Sequence, residues 1–523
     1  MLTWGITAII QALFLPGLLL TILIQDLPKI DKFILAIPLS LIINYIIVLF
    51  LTLFGYYNHN SMLVLLFIEI GLLLKIYNRN SKHRIISIHA ENISSRNSFY
   101  YFRLDLSNIL IITLGIVLVG PFLYEGWNAV GTVFRSWDAV VSWNRWAISW
   151  YQGLLPHGTW QYPDVSQTYP QGIPILYSLT YQFINNGQVQ FFAKSIAIVY
   201  PILSIIILVR TAFFFSKLRN IFFLSVPLFI WAISRSTGSA FAFSGTVDAP
   251  MAFYGVFSIY AFGLLFKKHL VSTTNIWDRH LVYLVILAVS GAALVKQSGV
   301  LLALQFMIGC YIFLNGKRIT WHKKRIWVHL IFLLFIISHW YVYKTFQILN
   351  GQDILNYSGY SSLIPESYLQ RPLKGLIIIF NAFLWIFLPI FIIGLLYAPA
   401  RKLAVWGILP MFLFWSLLVS YDIRTFFVAL PWVALVISVG VLKLTESINI
   451  RYLTAFKSGK LYRIYFLITG YICEYSNILL KSGILFWNII IKRPAKLSIS
   501  AVIGLLLIGN YVPAFSNEQL ISN

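Results

Sequence analysis

KGLIIIFNAFLWIFLPIFIIGLL (residues 374–396), YAPARK (397–402) and LAVWGILPMFLFWSLLVS (403–420) follow one another without a gap. Each outer piece is close to the ~20 apolar residues that cross a hydrocarbon core of ~30 Å. The short connector carries Arg401 and Lys402 and cannot itself be dissolved in lipid. Together they read as two membrane spans joined by a basic turn. A water-soluble core helix has no use for apolar runs of this length on every face.

Comparable runs lie on both sides, at about 3–24, 33–54, 61–77, 107–124, 190–215, 219–234, 247–266, 280–296, 299–314, 326–345, 425–443 and 497–513, which makes about 14 spans in all. Composition agrees. Of 523 residues, 59% are hydrophobic and 11% charged, less than half the roughly 25% charge of a soluble domain. The formal charge of +23 would suggest nucleic acid on a soluble protein. Here the cations sit in short connectors, so membrane orientation explains them and no nucleic-acid partner is expected. The two cysteines, Cys310 and Cys473, lie inside apolar stretches and read as small buried hydrophobes. The N-terminal MLTWGITAIIQALFLPGLLL has no basic leader and no small-residue cleavage site, so it reads as a first span.

Orientation follows from the parity of the cations. Lys75, Arg79, Lys82, Arg84, Arg96 and Arg103 follow the third run, and Lys217 and Arg219 the fifth. Lys267 and Lys268 follow the seventh, Lys317, Arg318, Lys323, Lys324 and Arg325 the ninth, and Lys443 and Arg451 the thirteenth. With Arg401 and Lys402 all fall on one side, which the positive-inside rule makes cytoplasmic, leaving the N-terminus outside. This divides the chain into N-terminal spans and a basic cytoplasmic loop (1–106), a membrane core (107–443) and a C-terminal part (444–523). That last part is basic at both ends of 444–496 and reads as a cytoplasmic interfacial helix before the last span.

Two long segments then fall outside, 125–190 and 346–373. In the first, Trp137, Trp143, Trp146 and Trp150 recur at helical spacing, as an amphipathic helix in the headgroup layer requires. The same face collects Asp138, Arg145 and Asp164 from the first loop, Arg235 and Asp248 from RSTGSAFAFSGTVDAP (235–250), and Lys296 with Gln297 from ALVKQSGVLL (293–302). It also holds Asp353, Glu366 and, in SYDIRTFFVALPW (420–432), Asp422 and Arg424. Carboxylates and cations from separate loops on one rim suit chemistry on an anionic substrate, with an acid to take a proton and cations to hold a phosphate.

Each residue has a plainer reading. Asp138 is placed as a helix N-cap, Asp248 opens a helix ahead of Pro250, Lys296 has the reach to snorkel to the interface, and Arg424 is a natural partner for Asp422. Asp164, Arg145 and Arg235 read as solvated loop charges. His157 and His339 lack the spacing of a metal site.

SWDAVVSWNRWA (136–147) with YPQGIPILY (169–177), TVDAPMAFYGVF (246–257), GAALVKQSGVLLAL (291–304) and IRTFFVALPWVALV (423–436) resemble, in this order, blocks of the GT-C superfamily of membrane glycosyltransferases. The nearest in appearance are the protein O-mannosyltransferases and the lipid A aminoarabinose transferases. The resemblance covers about 105–445 and rests on order and shared placement, since no block is diagnostic alone. It implies an all-α polytopic membrane protein with a GT-C-like core of about 11 spans, extra N-terminal spans and a long, partly helical first external loop. The implied activity is inverting transfer of a sugar from a polyprenyl-phosphate-linked donor to an acceptor hydroxyl, on the extracytoplasmic face of a bacterial cytoplasmic membrane. Asp138 then corresponds to the catalytic first-loop base and Asp248 to the second acid, Lys296 and Arg424 to the donor-phosphate ligands, and Trp137, Trp143, Asp164 and Gln297 to sugar or acceptor contacts. The partners implied are the lipid-linked sugar, membrane lipids and an acceptor that is a lipid, a glycan or a protein; no cofactor is required, and a divalent metal is left open. The family often has a second acid where Ala139 stands and Tyr where Thr425 stands, which makes Asp164 the reserve base. The rival readings are a flippase or transporter for lipid-linked sugars, an oligosaccharide polymerase or ligase, and a binding protein derived from the enzyme.

Overall fold

The computed structural model of the chain describes residues 1–24, 27–87, 106–154, 169–215, 218–271, 276–316, 367–419 and 422–457. All regular structure among them is helical. Among the described residues nine helices are long and apolar enough to cross a membrane, ten if the first two, bent by 41° at their junction, form one span. The expected spans near 326–345 and 497–513 lie outside the described residues. So do most of 346–373, the chain beyond 457, Asp164, Asp353, Glu366, His157 and His339.

In chain order, α1 (Leu2–Leu13) and α2 (Leu15–Thr21) make the bent first span, and α3 (Lys29–Leu53) and α4 (His59–Ser87) the next two. α2 packs closely on α3, where a Cβ on Gly17 would lie 1.9 Å from the Ala36 carbonyl oxygen. Only glycine admits that approach. α5 (Ser107–Ala129) leads to a helical run whose π-helical turn Ala139–Asn144 passes into α6 (Arg145–Tyr151). Then come α7 (Gly172–Ile184), α8 (Gln190–Ala212), α9 (Arg219–Thr237), α10 (Asp248–Val271), α11 (Ile276–Ser290) and α12 (Ser298–Gly316). α13 (Arg371–Leu395), α14 (Ala398–Leu418) and α15 (Leu430–Lys457) complete the described chain, and α15 runs on past the expected end of its span at 443.

One apolar cluster runs from Ala8 through Val441, so the N-terminal spans share a core with the rest. At one end of the bundle Asp31 is buried in the first turn of α3. Arg210 of α8 donates to it twice, through Nε (2.8 Å) and Nη2 (2.6 Å), and Tyr260 of α10 donates at 2.9 Å. Along α10, Tyr260 stands about 18 Å from Asp248 at 1.5 Å per residue. Asp248 therefore lies toward the other end.

There the structure departs from expectation. The segment 172–184, read as part of an external loop, forms a helix whose residues from Gly172 to Phe183 are all buried, packed by α1, α3, α4, α6 and α8. It can be enclosed because its apolar side chains pack on every neighbour while Ser178, Thr180 and Gln182 find hydrogen-bond partners inside. The tryptophan helix does not lay its rings in the headgroup layer either. Trp143, Trp146 and Trp150 are buried against the protein, and only Trp137 is well exposed, at 64%. α7 supplies the apolar surface they cover. Hydrogen bonds fix the seat: Trp150 Nε1 donates to Gln171 Oε1 (3.3 Å), Gln182 Nε2 to the Tyr151 carbonyl (2.7 Å), and the Tyr181 hydroxyl to Asn144.

Candidate functional site

Four chain segments end at this rim. Asp138 immediately precedes the π-helical turn at 139–144, and its side chain makes no capping hydrogen bond to that helix. It receives a hydrogen bond from Arg424 Nη1 instead, across most of the chain. Asp422 does cap: its Oδ1 accepts from the backbone N–H of Arg424 (3.0 Å) at the start of the 3₁₀ segment Ile423–Ala429. The Asp422 carbonyl is held by Trp415 Nε1 (2.9 Å) and Thr425 Oγ1 (2.8 Å). Arg424 Nε donates to Asp422 Oδ2 at 2.6 Å, Nη2 reaches the same carboxylate, and the guanidinium lies 5.4 Å from the centre of the Phe241 ring. One arginine thus bridges two carboxylates, each side chain about a third exposed.

Behind them lies a buried pair. Lys296 Nζ donates to Asp248 Oδ1 at 2.7 Å, with the two residues 7% and 4% exposed. Asp248 opens α10, where Pro250 suits the first turn. Lys296 stands in the turn between the 3₁₀ segment Gly291–Leu294 and α12. That turn closes tightly, since a Cβ on Gly299 would sit 1.9 Å from the Ala292 carbonyl oxygen. Lys296 therefore does not snorkel; its ammonium is committed to Asp248.

The two groups share one electrostatic environment. Burial, with the charges of Asp248, Asp138 and Asp422, pushes the Tyr169 phenol up to about 12, and Arg424 acts against them. Burial disfavours ionisation of Asp422, yet the hydrogen bonds and charge of Arg424, with Lys296 further off, hold its carboxyl below the ordinary value. α10 is brought against the 3₁₀ segment because Gly255 lets the Val428 carbonyl approach, where a Cβ would lie at 2.2 Å. Within this cluster three carboxylates face two cations.

Of the residues selected from sequence, Asp138, Asp248, Lys296 and Arg424 come together, with Asp422 between them. Trp137 is exposed beside Asp138. Trp143 is 6% exposed and packs edge-on against Trp146 (4.8 Å) and Tyr169 (5.4 Å), so it is chiefly a wall. Gln297 is buried next to Lys296. Arg235, read as a solvated loop charge, has its Nε–H buried and without an acceptor among the described residues.

Sequence reading did not single out Tyr169, Phe241 or Lys194. Lys194 Nζ donates to Thr132 Oγ1 (2.6 Å) and to the Val133 carbonyl (3.0 Å), anchoring the strap that delivers Asp138. Nothing in the apolar run around Lys194 announces a partner sixty residues earlier. Among the described residues no three His, Cys, Asp or Glu side chains gather as a metal ion requires. Comparison of the chain with protein-family models, with curated proteins and with solved structures returns no match.

Proposed function

We propose that this protein is an inverting, polyprenyl-phosphate-sugar-dependent glycosyltransferase of the GT-C type, working at the extracytoplasmic rim of a multi-pass membrane protein. The observation that carries the reading is the convergence of Asp138, Asp422 and Arg424 with the buried Asp248–Lys296 pair at one end of the bundle. The basic connectors lie at the opposite parity, which makes this end extracytoplasmic.

In the reaction the acceptor hydroxyl attacks the anomeric carbon as the bond from that carbon to the phosphate oxygen breaks. Asp138 takes the hydroxyl proton. The bonding pair leaves on the phosphate, where Arg424, at the open side of the site, and Lys296, behind it, offset the charge. Asp248 keeps Lys296 in place. The partly exposed Asp138–Arg424 arrangement is open to substrate, whereas the Asp248–Lys296 pair is shielded from water, where its field is screened least.

The test is direct. Purified full-length protein is incubated with a panel of polyprenyl-phosphate sugars and released lipid phosphate is measured, with Asp138→Asn and a heat-inactivated sample alongside. Release by the wild type that Asp138→Asn abolishes supports the reading; an Asp138→Asn variant with full activity removes this residue as the base.

A further inference from the structure

The hydrogen bonds around Arg424 are unequal. Asp422 holds it through three donors, the backbone N–H (3.0 Å), Nε (2.6 Å) and Nη2, from only two residues away. Asp138 holds it through Nη1 alone, across a sequence separation of 286. Both carboxylates are about a third exposed, so solvent screens the Asp138 contact and its worth is no more than ~1 kcal/mol. A phosphate presents several anionic oxygens and makes the stronger, charge-assisted contacts with a guanidinium. When one arrives, the bond that yields is the single distant one.

We infer that Arg424 is a latch on the candidate base: it holds Asp138 through Nη1, and only the phosphate of a lipid-linked donor draws it away. This rests on the glycosyl-transfer reading and adds an order to it. While Nη1 donates to Asp138, an acceptor hydroxyl has to compete for that carboxylate oxygen. Once Nη1 turns to the donor phosphate, the oxygen is free to receive the hydroxyl proton. Donor binding then precedes acceptor activation, and acceptor hydroxyls that arrive before the donor are left unactivated. Asp422 keeps the arginine at the site throughout, because its three bonds do not depend on the latch.

The test uses the full chain in phosphatidylcholine nanodiscs, labelled with a water-soluble carbodiimide and glycine ethyl ester and read residue by residue by mass spectrometry. Polyprenyl phosphate is the probe, the uncharged polyprenol the control, and Glu446, 59% exposed in its side chain, the internal reference. Binding is followed separately by tryptophan fluorescence. Polyprenyl phosphate is expected to raise labelling of Asp138 about fivefold, the factor that ~1 kcal/mol of released contact supplies, with Asp422 and Glu446 unchanged and no effect of polyprenol. Arg424→Lys, which keeps the charge but loses the fork, is expected to show the raised rate without lipid. If polyprenyl phosphate binds and Asp138 labelling stays level or falls, the latch is overturned and the glycosyl-transfer reading stands. If polyprenyl phosphate does not bind at all, the glycosyl-transfer reading fails and the latch fails with it.

Discussion

Replacing Lys296 by methionine keeps an unbranched side chain, one atom shorter, and removes its charge, leaving the Asp248 carboxylate buried opposite an apolar group. The attraction lost is large in gross terms: unit charges 2.7 Å apart attract by about 6 kcal/mol at an effective dielectric constant of about 20. Much of that is offset in the intact protein by the cost of taking both charges out of water. Removing one partner keeps the desolvation cost of the other, and for buried pairs this destabilises by about 3–5 kcal/mol. Lys296→Met and Asp248→Asn are each expected to fall in that range. The double variant carries no buried charge and is expected to return to within about 2 kcal/mol of the wild type, so the two changes are strongly non-additive. Unfolding of the full chain in detergent, followed by tryptophan fluorescence across a denaturant series, measures all four corners of the cycle. Single variants that lose less than about 1 kcal/mol, or a double variant that loses the sum, would refute the claim that these side chains are a committed buried pair.

Asp138→Asn, in contrast, is expected to change stability by no more than about 1 kcal/mol in the same assay, because its partner contact is partly exposed. Gly299→Ala places a methyl group against the Ala292 carbonyl and is expected to cost more than about 2 kcal/mol, read as a lowered unfolding midpoint. Lys194→Met removes two hydrogen bonds from a buried ammonium; hydrogen exchange at residues 132–136 is expected to accelerate, with a loss of about 2 kcal/mol. For Asp422 the folded carboxyl titrates below its ordinary value of 3.8. Its stabilisation is therefore fully present above that value and is lost as pH falls through the lower folded one. Acid unfolding below pH ~4 is expected to be less steep in Asp422→Asn than in the wild type, and identical curves would contradict the pairing with Arg424.

How far the molecule was legible in its sequence depended on which physical signal each part carried. The runs at 374–396 and 403–420 read directly as spans, because lipid demands length and apolarity whatever the partners are. Asp138 and Arg424 are distant in sequence, yet counting basic connectors placed them on one rim, since parity passes through every span. What parity cannot supply is contact: Asp422, two residues away, could be named as a partner of Arg424, but Asp138 as the second carboxylate on the same guanidinium was invisible. The enclosure of the helix at 172–184 was missed for a related reason. IPILYSLTYQF is too short to span and lies among Pro, Gly and Tyr, the marks of a loop, while its burial is decided by helices on both sides of it in sequence. The tryptophan spacing announced a helix correctly and said nothing about which way the rings would turn. Lys194 was hidden by its own span, where a lone lysine looks like any residue reaching for the interface.

The enclosed helix α7 also bears on how the protein is made. Its neighbours come from before it, in α1, α3 and α4, and from after it, in α8. While the ribosome is still delivering α7, only half of its enclosure exists, and a segment of this apolarity has to be kept from straying into the bilayer or into aggregates. It reaches its final seat once α8 has been inserted, and the tryptophan helix can then close over it. The strap bearing Asp138 is tied down by Lys194 of that same α8. Shortening the chain from its amino end, even by spans that supply none of the charged residues of the rim, would therefore open the floor on which the whole rim is laid.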